Sequence, residues 1–226
     1  MDFDFEPYFQ RYERIVAAAN AAFDRIKGEH ADCVKCKPTC SDCCFALFDL
    51  TFIEALYINH KFNEVFEAPE KQPLLDNANR ADRKVYQLKR QAVKDLNAGK
   101  SEVEVLATMG MERVRCPMLN KKDQCDIYSF RPITCRLYGI PTAIEGMSHT
   151  CGRTGFKEGE PYPTVHLEKI QQQLMKVSSD LVVALKSKYG KLAEMLVPLS
   201  MALLTTYDKE HLGVRTSQDE PKKQEK

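Results

Sequence analysis

The stretch Cys33-Val-Lys-Cys36-Lys-Pro-Thr-Cys40-Ser-Asp-Cys43-Cys44 decides how the rest of the chain is read. Five of its twelve residues are cysteine, and Lys35, Lys37, Thr39, Ser41 and Asp42 make the spaces between them polar. A lone buried cysteine behaves as a small hydrophobe, but this loop has no apolar period for five of them to fill. Pro38 and the cysteine density leave no room for regular secondary structure. Gaps of two and three residues let a loop turn back on itself and present successive sulfurs to one metal or cluster, as in zinc and iron–sulfur sites.

Working outward, the segment to the N-terminal side is helical. Phe5, Phe9, Tyr12, Val16, Ala19, Phe23 and Ile26 step by fours and threes along one helix face, and Gly28 ends the pattern. On the other side, Thr51 and Glu54 have the spacing of a capping box, with Ile53, Leu56, Tyr57 and His60 on the face behind it. Residues 67–79 read as a polar, Pro-containing connection. Ala81, Val85, Leu88, Ala92 and Leu96 then predict a second long helix ending at Gly99, and Ser101 and Glu104 cap a short third one.

From Arg113 to Gly155 the pattern is irregular again, broken by Pro117, Pro132 and Pro141. This span holds Cys116, Cys125, Cys135 and Cys151, too widely spaced for a local knuckle, so the fold must bring them together or deliver them to the first group. Helical order returns with Leu167, Ile170, Leu174, Val177, Leu181 and Leu185. Gly190 separates this stripe from a helix through Leu192, Met195, Leu196, Leu199 and Leu203 that Pro198 should kink. The expectation is an all-α or mostly α fold. A single helical domain spans residues 1–215 and encloses two irregular cysteine-bearing loops, with its cysteine core at about 33–155 and a disordered tail at 216–226.

Composition excludes several classes. The 226 residues suffice for one well-buried domain, and 33 lysines and arginines against 32 acids leave a formal charge of +1. That balance gives no reason to expect nucleic acid or an anionic membrane as partner. The N-terminus, Met1-Asp2-Phe3-Asp4-Phe5-Glu6, is acidic where a secretory signal needs positive charge. The longest apolar stretch, Met195 to Leu204, falls well short of the ~20 residues that span a bilayer. A cytoplasmic location follows as the expectation, and there thiols stay reduced and clustered cysteines mean metal or catalysis more often than disulfides. The odd count of nine cysteines also fits poorly with a closed disulfide framework.

Cys36-x3-Cys40-x2-Cys43-Cys44, followed by Cys116-Pro-Met-Leu and by Cys125-Asp-Ile-Tyr-Ser-Phe-Arg-Pro-Ile-Thr-Cys135-Arg, resembles the YkgJ-type cysteine-cluster family, also called the CxxCxxCC domain. The resemblance runs from about Cys36 to Cys151, and Cys33 is extra to its pattern. It implies a metal centre held by Cys36, Cys40, Cys43, Cys44, Cys116, Cys125, Cys135 and Cys151. Some relatives look like flagellin lysine methylases, which sets methyl transfer beside redox chemistry as an implied role, with a redox or protein partner.

All eight donors are thiols, which suit iron–sulfur clusters and zinc alike. They make two four-cysteine zinc sites, or one four-iron cluster with four sulfurs left for another role. The close run of cysteines resembles ferredoxin-like cluster loops, so a 4Fe–4S centre is expected ahead of zinc. The zinc alternative is a structural or interaction module with no catalytic activity. His149, the only histidine beside a second-group cysteine, reads as a solvated loop residue ahead of a ligand. Neighbouring side chains point apart, so one of Cys43 and Cys44 should face another centre or stay free. Seven basic residues against three acidic ones between Arg113 and Arg153 would offset thiolate charge. Arg131 and Arg136 are the expected cofactor-binding donors, through hydrogen bonds to sulfur or to a carbonyl. Cys36-x3-Cys40-x2-Cys43 also has radical-SAM spacing, but the strand–helix alternation of a barrel is absent and Asp42 stands where those enzymes carry an aromatic.

Overall fold

Helix α1 (Glu6–Glu29) opens the chain in the computed structural model, which describes residues 3–144 and 146–215. Its inward face is Phe9, Tyr12, Ile15, Ala19 and Ile26, close to the expected stripe, and it runs through Gly28 to a cap at His30. The tail expected at 216–226 lies outside the described residues.

Strand β1 (Asp49–Thr51) leads directly into helix α2 (Phe52–Val65). The expected capping box forms, since the Glu54 carboxylate accepts from both the backbone N–H and the hydroxyl of Thr51. Nine residues of α2 are buried, on every side of the helix, which makes it the central pillar of the core. His60 departs from the expected inward face: it is exposed, with its ring 5.1 Å from that of Phe9. Two buried polar groups fix the pillar to its neighbours. Ser178 Oγ accepts from Ile53 N at 3.1 Å, and Asn59 Nδ2 donates to the carbonyls of Ala202 and Thr205.

Residues 67–79 are not a connection. Helix α3 runs from Ala68 to Asn97, with Glu67 and Glu70 forming a capping box and Pro69 in the first turn. Prolines are tolerated at the start of a helix because those N–H groups have no partner anyway. Pro73 sits inside the helix, where it removes one backbone bond near the N-terminal end. Helix α4 (Glu102–Met111) follows with its Ser101–Glu104 box intact.

The irregular span contains one five-residue helix, α5 (Ile133–Leu137), and two strands, β2 (Thr142–Ile144) and β3 (Met147–His149). Strand β4 (Val165–His166) pairs parallel to β2 on its other side, giving a three-stranded sheet in the order β3-β2-β4. Helix α6 (Leu167–Ala184) then packs on α1 and α2. The second C-terminal helix is shorter than expected. A turn at Leu192–Glu194 leads into β5 (Leu196–Pro198), and only Leu199–Leu204 is helical, as α7. Pro198 kinks nothing; it is the N-cap of α7, a position that needs no N–H donor. Strands β1 and β5 pair antiparallel, Asp49 opposite Pro198 and Thr51 opposite Leu196, so α2 and α7 leave the pair from opposite ends. The fold is mostly α, as expected, with the cysteine-bearing loops at the margin of this helical core.

Candidate metal centre

The two cysteine segments are stitched together by backbone pairing. Cys116 N donates to Cys44 O at 2.7 Å, Val114 N donates to Phe45 O at 3.1 Å, and Ala46 bridges Arg113. Phe45 is covered by the guanidinium groups of Arg113 and Arg115, 5.6 and 5.8 Å from its ring centre. Asp42 adds an ion pair to Arg113 at 2.8 Å, with Arg153 at 3.9 Å. One carboxylate in the first loop therefore reaches both ends of the second.

Each cysteine has a local reason for its place. A turn closed by Cys40 N donating to Lys37 O shapes the approach to Cys40. Cys43 and Cys44 lie on a 3-10 turn, Asp42–Phe45. In the second segment, Asn120 Oδ1 accepts from Lys122 N and Gln124 N, and this tight loop returns the chain so that Leu119 bridges Cys125. Cys135 rides on α5, whose first N–H, from Ile133, donates to Glu54 Oε1 at 3.2 Å. Glu54 thus caps α2 with one oxygen and α5 with the other. Cys36 sits over the buried backbone of Gly139; any side chain there would collide with Cys36 Sγ. Gly155 N donates to Cys33 O at 2.7 Å, which brings the end of the second segment, just beyond Cys151, against the start of the first.

Cys36, Cys40, Cys43, Cys44, Cys116, Cys125, Cys135 and Cys151 all line one cavity of about 650 Å3. Cys33 and His149 do not line it: Cys33 packs against the apolar core through its side chain, and His149 is exposed on β3. Arg131 and Arg136 both border the cavity, and of the two expected kinds of acceptor, sulfur or carbonyl, their bonds reach carbonyls. Arg136 donates to the carbonyls of Ser129 and Arg131 and to Asn20 Oδ1, which ties α5 to α1. Arg131 donates to Tyr128 O and lies 3.8 Å above the Tyr128 ring. Among the described residues, no three His, Cys, Asp or Glu side chains converge closely enough to hold a single ion.

The thiols fall into two electrostatic neighbourhoods joined by Cys43. Partial desolvation of the sulfur at the cavity wall pushes Cys36 up to about 11, although the residue as a whole is exposed, with Cys40, Cys151 and Cys43 adding to it. Burial pushes Cys116 up to about 12 and raises Cys135 and Cys125, all three under the influence of Cys43. Cys43 itself is lowered to about 7, chiefly because Cys44 donates a hydrogen bond to its sulfur, with help from Arg131. Cys44, as that donor, is correspondingly raised. Cys43 and Cys44 both border the same cavity from one 3-10 turn. The donor set is all sulfur, which fits iron–sulfur or zinc and disfavours hard cations.

Asp42, Gly139 and the second use of Glu54 carry no signal in the sequence as parts of this site. Their partners lie 71, 103 and 79 residues away along the chain, and only tertiary contact reveals them.

The family model described as "CxxCxxCC: Putative zinc- or iron-chelating domain" matches residues 35–152. No curated protein and no solved structure gives a significant match.

Proposed function

From the premise that the chain belongs to the CxxCxxCC family, and so binds metal as a zinc- or iron-chelating domain, we propose that it is an iron–sulfur protein of the 4Fe–4S kind with a redox or methyl-transfer role. Its ligands are drawn from the eight cysteines of the cavity. One observation carries the choice of metal: all eight cysteines line a single cavity of about 650 Å3, more room than one zinc ion with four sulfurs fills. A zinc ion bound at about 2.3 Å by each sulfur needs four of them nearly in contact. A cluster gives each thiolate its own iron and uses inorganic sulfide to fill the interval.

Two further features support a working centre over a closed structural one. The cavity stays open beside the sulfurs, as a site must if something is to reach the metal. The second-segment sulfurs also have positions set before any metal arrives, with Glu54 capping the helix that carries Cys135, while Gly139 under Cys36 and Asp42 between the loops guide the first segment toward them. The bound group would supply electron transfer or activation of a methyl donor; the chain's own residues orient the sulfurs, limit water and hold the thiol protons that loading displaces.

Purification without oxygen tests the reading. A brown protein with iron and acid-labile sulfide in comparable amounts is expected, bleached reversibly by dithionite, with both elements lost in Cys116→Ser and Cys135→Ser. A colourless protein with stoichiometric zinc under the same conditions overturns it.

A further inference from the structure

Sulfur makes up only part of the cavity wall. Another part carries no atom that could ligate a metal: Leu47 and Phe48 before β1, Ala81 and Val85 on α3, and Pro198 and Leu199 at the start of α7. Pro198 belongs to the β1–β5 pairing and Ala81, Val85 and Leu199 to the packed helices α3 and α7, while Leu47 and Phe48 close the first cysteine segment, so most of this wall belongs to the helical core. A volume of about 650 Å3 falls within the roughly 300–1,000 Å3 of clefts that enclose small organic molecules.

Charge around the rest of the cavity has one sign in excess. Lys27, Lys37, Arg115, Arg131 and Arg136 face the cavity against Asp42 and Asp123, and Asp42 is already paired with Arg113. Arg136 and Arg115 have their guanidinium groups engaged by two or more partners each. Arg131 makes one carbonyl bond and stacks on Tyr128, and no carboxylate pairs with it among the described residues. Its planar fork keeps donors free, in a geometry that matches a carboxylate.

We propose that this chamber binds an organic acid beside the metal centre. Its flat apolar body lies against Phe48, Val85 and Leu199, and its carboxylate is held by Arg131. The proposal rests on the reading of the sulfurs as a working centre and names the class of small molecule which that centre acts on or with.

Calorimetric titration with naphthalene-2-carboxylate and its neutral amide, which differ in one charge, tests it on metal-loaded protein. The acid is expected to bind one molecule per chain, about tenfold tighter than the amide, the size of one charge-assisted hydrogen bond. Val85→Trp and Ala81→Phe fill the chamber from two positions on α3. Each is expected to abolish binding while metal content and melting temperature hold. Absence of binding to the loaded wild-type chain, equal binding of acid and amide, or survival of binding in either folded variant overturns the proposal. Metal content is measured on the same samples, and the titration is repeated on metal-free protein. Acid binding by a chain that takes up no metal would discard the centre and keep the chamber; a loaded chain that ignores the acid would do the reverse.

Discussion

The two cysteine segments meet at one cavity but are built differently. In the second, nearly every cysteine is flanked by side chains sunk in the core: Met118 and Leu119 after Cys116, Ile127 and Phe130 after Cys125, and Ile133, Leu137 and Ile140 around Cys135. In the first, between Cys33 and Phe48, only Val34 and Cys44 are buried. Polar contacts hold it instead: the Cys44–Cys116 backbone bond, the Asp42–Arg113 ion pair and the bond from Gly155 to Cys33. Apolar burial is worth roughly 25 cal/mol per Å2 and does not depend on a ligand. Exposed polar contacts are worth little until something else fixes them. The second segment is therefore a scaffold that stands without metal, and the first is a cover that metal completes.

The largest effect should come from the scaffold. Leu137→Ala empties a fully buried position next to Cys135 and should cost about 2–5 kcal/mol in denaturant unfolding, metal-loaded or not. Glu54→Ala comes next, since it leaves the N–H groups of Thr51 and Ile133 without an acceptor inside the core. A loss of about 2–3 kcal/mol is expected. It should be accompanied by reduced metal content, because α5 carries Cys135, whereas a variant that destabilises but loads fully would sever Glu54 from the site. Metal removal sharpens the contrast directly. Amide exchange across residues 35–46 should quicken about tenfold or more, equivalent to about 1.4 kcal/mol, while residues 127–140 stay protected. Equal loosening of both segments would erase the distinction drawn between them.

How far the sequence could foresee this follows the same division. Periodicity and capping pairs report on burial and on neighbours three residues apart, so α1, α4, α6 and the start of α2 were legible. Residues 67–79 were misread because two prolines and many charges resemble a linker, although Pro69 sits where a helix tolerates it and the Glu67–Glu70 box starts the helix. The stripe from Leu192 to Leu203 was misread as one helix because Pro198 ends a strand there and starts a short one. At the site, the sulfurs announced themselves by density and by the family pattern. The residues that seat them did not: Glu54 read as an ordinary cap, and no signal marked Gly139 as the floor under Cys36. Spacing reports local geometry, and these contacts span the fold.

Alkaline pH gives a smaller effect on the metal-free chain. The thiols of Cys36 and Cys116 rise from the ordinary 9.0 to about 11 and about 12, so the fold favours their protonated forms. That contribution is complete below pH 9 and is lost as pH climbs through 11 to 12. Cys43, lowered to about 7, acts in the opposite sense: its contribution is present above pH 9 and is lost as pH falls through 7. The melting temperature of metal-free protein should therefore be highest near pH 9, falling toward pH 7 as Cys43 takes up its proton and on the alkaline side as Cys36 and Cys116 lose theirs. Metal-loaded protein, with its ligands already deprotonated, should lose that decline, and identical profiles for the two forms would contradict it.

Asp42→Asn should have the smallest effect on stability and the most local one. The carboxylate is mostly shielded, but its partners Arg113 and Arg153 are exposed, so the pair contributes about 0.5–1 kcal/mol at most. Its consequence falls on geometry. Asp42 precedes Cys43 and Cys44 and fastens their turn to Arg113 at one end of the second segment and to Arg153 at the other. Without the charge, the turn keeps its backbone bonds to residues 114 and 116 but loses its tie to Arg153, beside Cys151. Metal affinity should fall by severalfold while the unfolding midpoint of metal-free protein hardly moves, and raised salt should bring the wild-type chain toward the variant. A midpoint that drops as much as it does for Leu137→Ala would mean that the first segment is as firmly built as the second.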